Sequence, residues 1–112
     1  LTPTMAKNPF DAPGAPGKPE CASRSKNHIE ISWRKPSDDG GAPIKGYIIE
    51  RKDTAGKKWN RVNKDLIKDT NYYDDKVLAG KEYEYRVIAV NDGGEGDASN
   101  PSAVLPAKPE KG

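Results

Sequence analysis

The stretch "KEYEYRVIAVND", residues 81–92, sets the reading of the whole chain. Tyr83, Tyr85, Val87 and Ala89 fall on every second position, with Glu82, Glu84 and Arg86 between them. Successive side chains of a strand point to opposite faces, so this pattern predicts a strand with one face on a core and one in water. Tyr83, Tyr85, Val87 and Ala89 are core positions before they are anything else.

The same period recurs upstream. In "HIEISW", residues 28–33, Ile29, Ile31 and Trp33 share one face, and Glu30 and Ser32 the other. "IKGYIIERKD", residues 44–53, turns Tyr47 and Ile49 inward. "KWNRV" (58–62) reads as a short strand offering Trp59, "TNYYDD" (70–75) as another, and Cys21 falls in a first strand. "PSDDGGAP" (36–43) and "TAGK" (54–57) are turns, because glycine and proline punctuate regular structure. "NDGGEGDASNP" (91–101) reads as a glycine-rich loop, and "SAVLPA" (102–107) closes the domain. Nothing sustains apolar residues at helical spacing over ten positions. About seven short strands predict an all-β antiparallel sandwich.

Residues 1–19 hold five prolines, which make "NPFDAPGAPGKP" an extended, semi-rigid lead-in with Phe10 as its one large apolar group. A chain of 112 residues with 33% hydrophobic and 32% charged residues suits one domain with a lean core. The net charge of +2 is too small to argue for nucleic acid. Its distribution is uneven. Arg51, Lys52, Lys57, Lys58, Arg61, Lys64 and Lys68 outweigh Asp53 and Asp65, so 51–68 is net +5. The following stretch, 69–99, is net −5. Such blocks read either as solvated faces or as a charged docking surface, with Lys57, Lys58 and Arg61 as its candidate residues. Trp59 divides the same way, between a stacking role and a partner anchor beside Arg61.

Little in the chain suggests chemistry. The single histidine, His28, and single cysteine, Cys21, offer neither an oriented nucleophile pair nor the four ligands of a closed zinc site. Gly40-Gly41 and Gly93-Gly94 lack the phosphate-loop pattern, and the paired aspartates lack calcium-loop spacing. The expectation is no catalytic residue, no cofactor, no metal, no nucleic acid and no membrane. One cysteine permits no internal disulfide, and no glycosylation acceptor occurs, which favours a reducing compartment.

These residues together resemble the fibronectin type III domain, over about residues 16–107. The resemblance rests on Trp33, on Tyr47 and Ile49, and on "LAGKEYEYRVIAVN", where Gly80, Tyr83, Tyr85, Val87, Ala89 and Asn91 match the family's motif. It implies a seven-stranded immunoglobulin-like sandwich in which the Tyr83 hydroxyl bonds upstream backbone. Either Val77 or Leu78 would plug the core. Asp74 stands where many relatives carry an apolar residue, and is expected at an edge, or paired with Lys76 or with backbone. "AKNPFDAPGAPGKP", "KPSDDGGAPIKGYIIERKD" and "KWNRVNKD" further resemble modules of giant sarcomeric proteins of the titin, twitchin and projectin kind, and of myosin-binding protein C.

That resemblance implies a linker over 1–15, the domain over 16–107, and the start of the next linker over 108–112. Ala6-Lys7 and Ala107-Lys108, 101 residues apart, echo a repeat of about one module. The implied role is a non-catalytic spacer and thick-filament (myosin) scaffold in a tandem array, monomeric by itself, among neighbouring modules in the sarcomere's A-band. An extracellular adhesion module and a kinase-flanking regulatory module are the alternatives, although no Arg-Gly-Asp occurs.

Overall fold

The computed structural model describes residues 11–106. Eight strands form two antiparallel sheets: β1 Glu20–Ser25, β2 His28–Ser32, β3 Gly46–Asp53, β4 Asn60–Arg61, β5 Asn71–Asp74, β6 Glu82–Asn91, β7 Gly94–Ala98 and β8 Leu105–Pro106. The smaller sheet runs β1-β2-β5. The larger runs β4-β3-β6-β7, with β8 also paired to β6. The all-β sandwich follows from the alternation, because each sheet has one apolar face to bury against the other.

The core lies between the sheets. Ile29, Ile31 and Trp33 enter from the β2 side, Tyr47 and Ile49 from β3, and Tyr83, Tyr85, Val87 and Ala89 from β6, all buried. The β3–β6 register sets Tyr47 opposite Ala89 and Ile49 opposite Val87, so both strands turn the same face inward. Trp33 meets Tyr47 edge-on, with ring centroids 5.4 Å apart. Of the two neighbours upstream of Gly80, Val77 is buried and Leu78 is 60% exposed. The Leu78 N–H instead donates to the Tyr83 hydroxyl at 3.0 Å. Ile48 is also buried, on the far face of β3, where the sequence pattern gave it no core place.

Two expectations change at the C-terminal end. The glycine-rich segment is not all loop: Asn91 pairs with Gly94 across Asp92-Gly93, and β7 returns along β6. An Asp-Gly step is a strong hairpin signal, and Gly94 at φ +121° takes a conformation L side chains rarely adopt. β7 therefore precedes the expected last strand, of which Leu105–Pro106 forms β8, and between the two lies Pro101, which has no N–H for a ladder. Two serines bridge the gap. Ser99 N–H donates to the Val87 carbonyl and Ser99 Oγ accepts from Val87 N–H. Ser102 does the same for Tyr85.

The lead-in is fastened to the body from Asp11 onward. Asp11, Gly14 and Gly17 donate backbone N–H groups to the carbonyls of Gly40, Asp38 and Arg34. Pro13, Pro16 and Pro19 are buried. A three-residue repeat of this kind is that of polyproline II. Asn91 clamps the strap, its amide donating to the Asp11 and Asp39 carbonyls. Residues 11–15, assigned to a linker by the sequence reading, thus bond to the domain. The placement of Phe10, the first ten residues of the expected linker, the segment 108–112 and the two Ala-Lys pairs lie outside the described residues.

Candidate functional site

Asp74 sits on β5, an edge strand of the smaller sheet, yet is fully buried. Lys76 contributes its backbone N–H, at 3.0 Å from Asp74 Oδ1, while its Nζ lies 3.8 Å from Asp75. The principal partners come from the opposite sheet. Arg51 Nη1 and Tyr85 Oη donate to Asp74 Oδ2 at 2.8 and 2.7 Å. The Arg51 guanidinium also lies 5.1 Å from the centre of the Tyr83 ring. Arg51 and Tyr85 are register partners, so both point into the sandwich and reach across it. Burial acts to lower the Arg51 pKa, but the hydrogen bond and charge of Asp74 outweigh it and the net shift is upward. Burial, then the Asp74 charge, pushes the Tyr85 hydroxyl far above its ordinary value. This group is structural: it ties the two sheets together.

The outer face of the larger sheet is a ladder of charge. Arg86 pairs with Glu50 at 2.6 Å, and Lys52 with Glu84 at 3.2 Å. Trp59, from the loop before β4, lies over both cations, 4.6 Å from Arg86 Cζ and 5.8 Å from Lys52 Nζ. Cation–π geometry gives Trp59 a stacking role. At the edge of the face Lys81 pairs with Asp53 at 3.2 Å. The Ala55 N–H first, and then Lys81, hold the Asp53 carboxyl below its usual range.

The two charge blocks partly cancel here, since Arg51 and Lys52 take their acids, Asp74 and Glu84, from the second block. What remains of the first block is Lys57, Lys58, Arg61, Lys64 and Lys68, all exposed and in no ion pair among the described residues. Arg61 ends β4, and Lys64 and Lys68 lie in the connection from β4 to β5. Lys57 and Lys58 lie in the β3–β4 loop. The Arg61 guanidinium bonds the Asn63 and Lys64 carbonyls at 2.7 and 3.1 Å, which fixes its position.

Sequence reasoning missed Asn63, which organises this edge from a buried position. It accepts from Ile49 N–H and donates to the Tyr47 and Asp65 carbonyls, standing in for strand pairing where β4 has ended. An asparagine in a polar run carries no signal of burial. Both ring nitrogens of His28 lie within hydrogen-bond distance of serine hydroxyls, those of Ser23 and Ser25, and the ring stacks on Tyr73 at 4.6 Å. Among the described residues no group of three or more His, Cys, Asp or Glu could hold a metal, and no helix is long and apolar enough to cross a membrane.

A two-sheet antiparallel sandwich with a tyrosine hydroxyl bonded to upstream backbone defines an immunoglobulin-like β module. The chain matches the fibronectin type III domain over residues 14–104 and belongs to that family. Human cardiac-type myosin-binding protein C is 40% identical over 82 residues, which is 73% of this chain and 6% of that protein. Titin domains A168–A170 superpose with a TM-score of 0.84 at 30% identity, covering 88% of this chain and 33% of that one. The twitchin kinase region of C. elegans gives 0.79 at 29% identity, covering 87% and 17%. The chain therefore spans a small fraction of the relatives it matches.

Proposed function

We propose that the chain is a non-catalytic spacer and interaction module of a tandem array in a giant muscle filament protein, at the A-band of the sarcomere, with neighbouring modules as its covalent partners. We assign its further contact to an acidic surface of the thick filament, myosin, through Lys57, Lys58 and Arg61. The observation that carries this reading is the unspent basic charge along the β4 edge, beside a face whose other charges are paired. Likeness to modules of myosin-binding protein C and titin supports the setting. Likeness to a structure of titin kinase and its flanking domains, at TM-score 0.81, supports a second reading as a kinase-flanking module.

Co-sedimentation with myosin filaments at two salt concentrations tests the first reading. Contacts between exposed charges weaken as the screening length falls from about 10 Å at 0.1 M to about 3 Å at 1 M salt. Wild type should pellet at low salt and be released at high salt, and the Lys57→Glu/Lys58→Glu/Arg61→Glu chain should stay in the supernatant. Equal pelleting of the triple variant would remove the basic edge from the account.

A further inference from the structure

The strap over Asp11–Pro19 has three faces, one for each residue of its repeat. Asp11, Gly14 and Gly17 give their N–H groups to the body. Pro13, Pro16 and Pro19 are buried against it. Ala15 and Lys18 are exposed, and Ala12 is half-buried. Read as sequence, "APGAPGK" from Ala12 to Lys18 places two Ala-Pro steps three residues apart, with a cation two residues after the second. This is the form of ligand that proline-recognising domains of the SH3 type take: a left-handed extended chain whose Xaa-Pro pairs fill aromatic-lined slots, with a terminal cation for an acidic pocket.

We propose that Ala12–Lys18 is a masked ligand for an SH3-type domain, held out of reach by its own body and presented when the strap lifts. The two uses exclude each other, because Pro13 and Pro16 are the residues a receptor must cover and both are already covered. The mask is held by three backbone hydrogen bonds, the Asn91 clamp and three buried prolines, and among the described residues it joins no strand ladder. Once lifted, Gly14 and Gly17 lose the body's backbone bonds, so a receptor must re-order them, while Pro13 and Pro16 keep φ fixed and limit that cost. The receptor's acidic pocket matches Lys18, which no ion pair among the described residues engages.

Gly96 supplies the test. A Cβ there would collide with the Pro13 carbonyl, so Gly96→Ala pushes the strap away and leaves the motif itself untouched. The apparent dissociation constant of a ligand that is presented only part of the time is its intrinsic value divided by the presented fraction. With a purified SH3 domain selective for PxxPx(Lys/Arg) as the probe, calorimetry should give the Gly96→Ala chain an affinity about tenfold or more above wild type. Adding Pro16→Ala or Lys18→Glu should abolish that gain. An affinity equal to wild type, or one that survives Pro16→Ala, overturns the proposal. In wild type, saturating probe should shift the amide resonances of Gly40 and Asn91, which contact the strap and lie outside the motif. Binding that leaves both unmoved also overturns it, whether or not Gly96→Ala folds.

Discussion

Replacing Asp74 by alanine should cost the domain a large part of its stability. Three donors lose their acceptor at once: the Tyr85 hydroxyl, the Arg51 guanidinium and the Lys76 N–H. Tyr85 is fully buried and gains no water in exchange, which costs about 1–3 kcal/mol. Arg51 loses its charge partner while its side chain is only 22% exposed. Breaking a buried pair by removing one member costs about 3–5 kcal/mol, and partial solvation of Arg51 places the sum near the lower end, about 3 kcal/mol. A domain of this size holds about 5–15 kcal/mol, so the loss is visible in any unfolding curve. Asp74→Asn keeps an acceptor for Tyr85 and should cost less, about 1.5–3 kcal/mol, because the bonds it weakens are charge-assisted. Adding Arg51→Met to Asp74→Ala should restore part of the loss, since no stranded cation remains, and the cycle should show a coupling of about 1–3 kcal/mol. Urea unfolding followed by tryptophan fluorescence measures wild type, Asp74→Ala, Asp74→Asn, Arg51→Met and the double variant. A cost below about 1 kcal/mol for Asp74→Ala, or additive single mutants, would show that Asp74 is not the link between the sheets.

Other outcomes follow from the same contacts. Tyr83→Phe removes the acceptor of the Leu78 N–H and should lower the unfolding free energy by about 1–2 kcal/mol in the same urea assay. The folded pKa of Tyr85 is raised above its ordinary value of 10.0, so its contribution is complete below about pH 10 and declines as pH rises beyond it. That decline is about 1.4 kcal/mol per pH unit, and Tyr85→Phe should flatten the profile between pH 10 and 12 while lowering it at neutral pH, as read by circular dichroism. Gly46→Ala brings a Cβ to 2.6 Å from Leu66 Cβ and should cost about 1–3 kcal/mol, with the melting temperature as readout. The Lys57→Glu/Lys58→Glu/Arg61→Glu chain should stay within about 1 kcal/mol of wild type, since among the described residues the lysines are in no ion pair and Arg61 loses only bonds to loop carbonyls.

The fold was legible because alternation in 28–33, 44–53 and 81–92 is local information: each residue's neighbours two places away disclose its face. Contacts that join distant segments left no such mark. Asp74 could be flagged as costly to bury from its position in the motif, but its rescue by Arg51 and Tyr85 depends on register between two sheets. Glycine weakens strand propensity, so residues 91–101 carry a loop signal, whereas the Asp92-Gly93 turn hands β7 its pairing with β6. The lead-in was legible as extended, but its attachment depends on carbonyls of the β2–β3 connection that no pattern within 11–19 discloses. Of the candidate surface, the basic block was plain in the sequence. Which of its members remain unpaired became plain only when Arg51 and Lys52 found acids in the folded chain.

The serine bridge between β7 and β8 has a consequence for crowded modules. Domains joined head to tail see one another at millimolar effective concentration, where an open strand invites exchange between copies. On this flank of β6, Ser99 and Ser102 each occupy both backbone groups of one residue, Val87 and Tyr85. An invading strand finds those positions taken, and a copy of this flank offers Pro101, which cannot donate. The segment keeps the sandwich closed and makes a poor template for its own kind, which in the proposed tandem array would keep neighbouring copies separate.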